Sequence, residues 1–109
     1  MTLTLSKNLE RYFAAQNAHD AEGMAACFAP DAKVRDEGKE YAGRDEIRSW
    51  KEETIAKYGI SIEPLHTSER DGTTTVVAKV TGNFPGSPAE LSYDFGLASD
   101  GLIRTLAIH

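Results

Sequence analysis

A single cysteine, Cys27, in a chain of 109 residues excludes an intrachain disulfide and a cysteine-built metal site. The three histidines, His19, His66 and His109, stand far apart with no metal-ligand spacing, so no metal is expected. No run of Lys or Arg forms a basic patch, and the net charge is −5 with a pI of about 5.1. Nucleic acid is not expected as a partner, nor is an anionic membrane surface. No stretch approaches the length of a membrane span, and Met1-Thr2-Leu3-Thr4-Leu5-Ser6-Lys7 lacks the apolar core of a signal peptide. A cytoplasmic protein is the expectation. A Gly-rich phosphate loop is missing, because the glycines occupy turns. Repeats and linkers are missing too, and the length suits one domain spanning residues 1–109. What is present is 40% hydrophobic residues, enough for a core without staples.

The chain divides by periodicity. From about Leu3 to Ala18, the residues Leu5, Leu9, Tyr12, Phe13 and Gln16 recur at helical spacing between charged positions, which predicts an amphipathic helix. Asp20 is placed to cap a second helix over roughly Ala21 to Phe28, with Met24, Cys27 and Phe28 on its apolar side. Pro30-Asp31 is expected to stop that helix and turn the chain into a strand, Ala32 to Asp36. Lys39-Glu40-Tyr41 returns as a short strand. A third helix covers roughly Arg44 to Lys57, with Ile47, Trp50, Thr54 and Tyr58 on one face and a solvated, charged face opposite. Four strands then follow: Ile60 to Glu69, Thr73 to Thr81, Ala89 to Ser99 and Leu102 to Ile108. Asp71-Gly72 and Asp100-Gly101 suit two-residue hairpin turns, and Pro85-Gly86 suits a type II turn. Helices followed by an antiparallel meander imply an α+β domain with the helices on one face of a twisted sheet.

Asp36 is the main candidate for chemistry. Ala32, Val34 and Asp36 share one face of their strand, and Lys33 and Arg35 share the other. If the cations face water, the carboxylate faces inward, where it is costly unless paired, hydrogen-bonded or protonated. The competing reading is a plain turn, because Asp36-Glu37-Gly38-Lys39 is also a turn sequence. Parity puts Leu91, Tyr93, Phe95 and Leu97 on one face of their strand. Tyr12, Phe13, Trp50, Tyr93 and Phe95 can then line one cavity with Asp36, or simply fill the core. His66 shares a strand face with Ile60, Ile62 and Pro64 and so can reach the interior. Phe84, large and apolar beside Pro85-Gly86, is expected at the pocket mouth. Cys27, on the apolar side of a short helix, is not expected to be a nucleophile.

The runs Arg11-Tyr12-Phe13-Ala14-Ala15-Gln16-Asn17-Ala18-His19-Asp20, Phe28-Ala29-Pro30-Asp31-Ala32 and Tyr41-Ala42-Gly43-Arg44-Asp45-Glu46-Ile47 carry a resemblance. It covers nearly the whole chain, which is similar to the SnoaL-like and ketosteroid-isomerase-like branch of the nuclear transport factor 2-like superfamily. The resemblance implies a cystatin-like cone. A curved antiparallel sheet wraps a long N-terminal helix, three helices lie on the concave face, and the protein is usually a homodimer. Ketosteroid isomerases combine an Asp base with an oxyanion hole of Tyr and a protonated Asp. Tyr12 matches the helix Tyr and Asp36 matches the base. Tyr93 stands where the acidic donor belongs, and Asp94 lies on the other face.

The first functional reading is an enzyme acting on a small, largely apolar carbonyl or polyketide-like compound. Asp36 moves a proton next to the carbonyl, and Tyr12 and Tyr93 hydrogen-bond the enolate oxygen. Phe13, Trp50, Phe84, Phe95 and His66 line the ligand. No organic cofactor is needed, because the carbonyl delocalises the charge. The alternatives are a non-catalytic small-ligand binder and a dimerisation or assembly module that uses the outer sheet face, where Leu65, Val77 and Ala107 contribute apolar surface.

Overall fold

The computed structural model describes residues 5–109. Helix α1 runs from Lys7 to Asn17 and buries Leu9, Tyr12, Phe13 and Gln16. The expected start at Leu3 lies outside the described residues. Within them, the helix begins after Ser6, whose extended backbone and hydroxyl cap the first turn through Leu9 N. Helix α2, Ala21–Ala25, is capped by Asp20 on Gly23 N at 2.9 Å. It is shorter than its apolar pattern suggests, because Phe28 opens strand β1 (Phe28–Asp36). Pro30 therefore does not end a helix. It sits in a register shift between Phe28 and Lys33, where a missing N–H breaks no ladder bond.

Strand β2 (Lys39–Ala42) returns through Glu37 and Gly38, both at positive φ, as a tight hairpin requires. Helix α3 spans Gly43–Tyr58, ends on left-handed Gly59, and buries Ile47, Trp50 and Lys51. Strands β3 (Ser61–Arg70), β4 (Thr73–Thr81), β5 (Ala89–Leu97) and β6 (Ile103–Ile108) complete the chain. Asp71 and Gly72 form the expected turn with positive φ at both residues. The β5–β6 link is longer than the expected two residues. Ala98 N bonds Leu102 O, Gly101 N bonds Ala98 O, and Asp100 accepts from Leu102 N.

The sheet has six strands in the order β2-β1-β6-β5-β4-β3. All pairs are antiparallel except β1 with β6. The C-terminal meander is thus extended by the first strand of the chain, inserted beside the last. Register shifts in β1, β3 and β5 bend the sheet. Its inner face packs on the helices through Val34, Leu106 and Phe95 in one cross-strand row. Asp36, Ile108, Tyr93, Val76 and Thr67 form the next row. The α+β class and the curved sheet agree with the expectation from sequence. Asn17 ties α1 to β3, accepting from Ile62 N at 2.7 Å and donating to Ile62 O at 2.9 Å.

Candidate functional site around Asp36 and Lys51

Asp36 is both the last residue of β1 and the first of the β1–β2 turn, so the two sequence readings describe one position. Its side chain is half-buried and shares the inner face with buried Ala32 and Val34. Burial pushes its carboxyl above the ordinary value, and the charge of Glu37 adds to the rise. The Lys51 charge and a hydrogen bond from the Trp50 side chain act in the opposite direction. Tyr93 lies in the same row, two strands away across Ile108. Strand spacing puts their backbones about 9–10 Å apart.

Tyr12 is fully buried on α1. Its hydroxyl is paired with Lys51 Nζ at 2.6 Å, and among the described residues no direct hydrogen bond joins it to Asp36. Burial first, then the charges of Tyr93 and Asp36, hold its phenol well above the ordinary value. Burial and Asp36 do the same to Tyr93. Both phenols therefore stay protonated and act as donors across the ordinary pH range.

Tyr12, Phe13, Tyr93 and Phe95 do come together, but as a packed cluster. Tyr12 meets Phe13, Phe28 and Phe95 edge to face, with centroids 5.3, 5.8 and 5.6 Å apart. Phe13 meets Tyr93 at 6.0 Å in the same way. These are favourable aromatic geometries, and Phe95 has no exposed surface. Phe95 and Phe28 are core beneath the site. Trp50 stacks on Tyr41 with centroids 5.1 Å apart, which places an aromatic pair from α3 and β2 beside Asp36.

Two expected ligand residues lie elsewhere. His66 is exposed, because the bulge between Pro64 and His66 shifts the parity of β3. Ile62 and Pro64 pair with the inward Val80 and Ala78, whereas His66 pairs with the outward Val77. Phe84 packs edge to face on Tyr58 at 6.1 Å and lies over Gly82. Tyr58 is two helical turns beyond Trp50, about 12 Å along α3. Two surface clefts, of about 200 and 430 Å³, are lined by Asn17, Ser61 and Lys79 and by Pro30, Gly43 and Arg44 respectively. Neither includes the Asp36 group.

The residue that sequence reasoning missed is Lys51. It is 3% exposed, bonded to Tyr12 and to Gln16 Oε1 at 3.0 Å, and lies 4.1 Å from the Trp50 ring. Burial lowers its pKa to about 7, against the pull of Asp36. The signal was its spacing: Lys51 is four residues after Ile47 and beside Trp50, on the inward stripe of α3. The surrounding charges Arg48, Glu52, Glu53 and Lys57 concealed it.

Comparison with known proteins follows the same lines. The SnoaL-like domain model matches residues 9–99. A protein from Sinorhizobium meliloti described as a candidate polyketide cyclase is 36% identical. The match covers 96% of this chain and 95% of that one, with a TM-score of 0.90. A ketosteroid isomerase-like protein from Catenulispora acidiphila, solved with trimethylamine, is 18% identical over 97% of this chain and 86% of its own, with a TM-score of 0.85. The epoxide hydrolase/cyclase-like enzyme SalBIII, of pyran ring formation in salinomycin, is 20% identical over 94% and 86%, with a TM-score of 0.81. No match was found among curated proteins. Among the described residues, no helix is long and apolar enough to cross a membrane.

Proposed function

We propose that this chain, which belongs to the SnoaL-like domain family, holds a small, largely apolar carbonyl compound and moves a proton at the carbon next to the carbonyl. Asp36 is the base. It takes the proton from carbon, the electron pair moves to the carbonyl oxygen, and the proton returns to the same or a conjugated carbon. The observation that carries this reading is the half-buried Asp36 carboxyl, with its raised pKa, on the inner sheet face in one row with Tyr93. A raised carboxyl pKa improves a base for weak carbon acids. Tyr12 and Tyr93 are the donors to the enolate oxygen. Lys51 donates to the Tyr12 oxygen, which leaves the phenol proton free to be given and strengthens it as a donor. Loss of one such donor costs about 3–4 kcal/mol of barrier. The candidate polyketide cyclase at 36% identity supports a carbonyl-rich substrate. No organic cofactor enters the scheme, and the buried free Cys27 suits a cytoplasmic protein.

The test is deuterium incorporation from heavy water next to the carbonyl in a panel of cyclic ketones and 1,3-diketones, followed by NMR. Wild type should exchange at least one of them and Asp36→Asn should not, with ligand affinity nearly kept. Equal exchange by both proteins would remove Asp36 as the base. A second reading, assembly through the outer sheet face, is favoured by Leu65, 39% exposed, with Val77 and Ala107 on that same side. Light scattering at micromolar concentration tests the homodimer, and a monomer would rule it out.

A further inference from the structure

Proton transfer by Asp36 leaves the most unusual pair in the core without a task. Lys51 is almost completely buried, yet among the described residues the ion pairs are Arg35 with Glu40 and His109 with Asp94. Its ammonium group touches only neutral partners: the Tyr12 hydroxyl, the Gln16 carbonyl oxygen and the faces of Trp50 and Tyr12. Buried charge without a contact counter-ion is costly. Gln16 is 3% exposed, and its Nε2 has no hydrogen-bond partner. An ammonium group accepts nothing, so the amide oxygen must face Lys51 and the unpaired protons belong to the nitrogen. A cation without a contact counter-ion and an amide nitrogen without an acceptor thus stand side by side on α3 and α1. The same interior face carries Thr67 Oγ1, also buried and unpartnered.

We propose that Lys51 and Gln16 form the inner anchor of the ligand site and accept an oxyanion, the carboxylate or enolised 1,3-dicarbonyl of a small, otherwise apolar molecule. The aromatic wall of Trp50, Phe13 and Tyr93 takes the apolar part. A ligand oxygen gives the ammonium its counter-charge and the Gln16 Nε2 protons their acceptor. Asp36 is the other titrating group that acts on Lys51; Tyr12 and Tyr93 stay neutral. An anion bound at Lys51 restores the charged form of the lysine, so binding above neutral pH takes up a proton. A cationic amine supplies no such counter-charge and is not held there. This inference rests on the small-molecule reading above but not on catalysis by Asp36.

Benzoate and 2-naphthoate are suitable probes, with benzamide and benzylamine as neutral and cationic counterparts. Calorimetry at about pH 8, where both carboxylates are fully ionised, in buffers of different ionisation enthalpy should show binding of a carboxylate with proton uptake. Lys51→Met should weaken it about tenfold or more, the effect of losing a charge-assisted contact. Gln16→Glu supplies an internal carboxylate at the same place. It should block the probe while keeping the melting temperature at or above that of wild type, which guards against a folding defect in Lys51→Met. Asp36→Asn should abolish deuterium exchange while benzoate still binds, with a larger proton uptake because Asp36 no longer helps to hold the Lys51 proton, so failure of the two readings can be told apart. The inference is overturned if neither carboxylate binds, if benzamide or benzylamine binds as well as benzoate, or if Gln16→Glu binds benzoate like wild type.

Discussion

Lys51 Nζ lies 2.6 Å from the Tyr12 hydroxyl, across the interface between α3 and α1, and both side chains are buried. One short polar contact therefore couples the two helices that cover the inner face of the sheet. Burial moves the two groups apart, so the lysine loses its proton at about 7 while the phenol keeps its own far beyond that.

Tyr12→Phe removes one of the two acceptors of Lys51 and keeps the ring. A buried polar group left without its partner costs about 1–3 kcal/mol. Urea unfolding near neutral pH should show a loss of that size, and Tyr12→Phe combined with Lys51→Met should lose less than the sum of the two single changes. Simple additivity would mean that the contact carries no energy.

Lys51 makes stability depend on pH in a defined direction. Its folded pKa, about 7, is below the ordinary lysine value of 10.5, so between these values the unfolded chain binds more protons. Stability must then rise with pH across that window, and the burial penalty is fully present below about 7. Denaturant midpoints measured from about pH 7 to about pH 10 should climb in wild type relative to Lys51→Met. Parallel curves would show that Lys51 titrates normally and is not buried as described.

Asp36 works in the opposite sense. A carboxyl whose folded pKa is raised stabilises the fold only while protonated, and that contribution is lost as pH rises from the unfolded pKa through the folded one. Asp36→Asn should therefore be neutral or slightly stabilising at neutral pH and flatten the acid limb of the curve. The same change removes the negative charge that holds the Lys51 proton. A ¹³C NMR titration of the lysine side chain should show its pKa moving down from about 7, and an unchanged value would deny the coupling.

Asn17 is a structural counterpart. Its amide replaces a missing strand neighbour for Ile62, with bonds of 2.7 and 2.9 Å. Asn17→Ala leaves two backbone groups at the start of β3 unpaired and should cost about 1–3 kcal/mol. Hydrogen exchange at the Ile62 amide should speed up more than at Val76 in the middle of β4, and equal effects would contradict a local clamp.

On the outer face, Asp94 accepts from Thr75 at 2.7 Å and pairs with His109 at 2.7 Å. These contacts, His109 first, pull its carboxyl below the ordinary value. The stability they give is present above the unfolded pKa and lost as pH falls through the folded one. The group is partly exposed, so Asp94→Asn should cost less than about 1 kcal/mol at neutral pH. A larger loss, or one that tracks protein concentration, would point to burial of this face between subunits.

Much of this protein was decided locally and could be read from the chain. Alternation in Ala32-Lys33-Val34-Arg35-Asp36 set the inward side of β1, and the 3–4 spacing of Leu9, Tyr12, Phe13 and Gln16 set the buried face of α1. Asp71-Gly72 and Glu37-Gly38 placed turns, because few residues accept positive φ. Tertiary structure decided what depends on partners distant in sequence. Pairing of β1 with β6 brought Asp36 into the row of Tyr93, an alignment that no local pattern encodes. A single bulge moved His66 from the inner face to the outer, since one extra residue inverts the two-residue period of a strand. Lys51 needed both levels. Helical spacing pointed it inward, but only the approach of α1, with Tyr12 and Gln16 as acceptors, makes a buried lysine tolerable, because the cost of burying a charge is set by the groups that surround it.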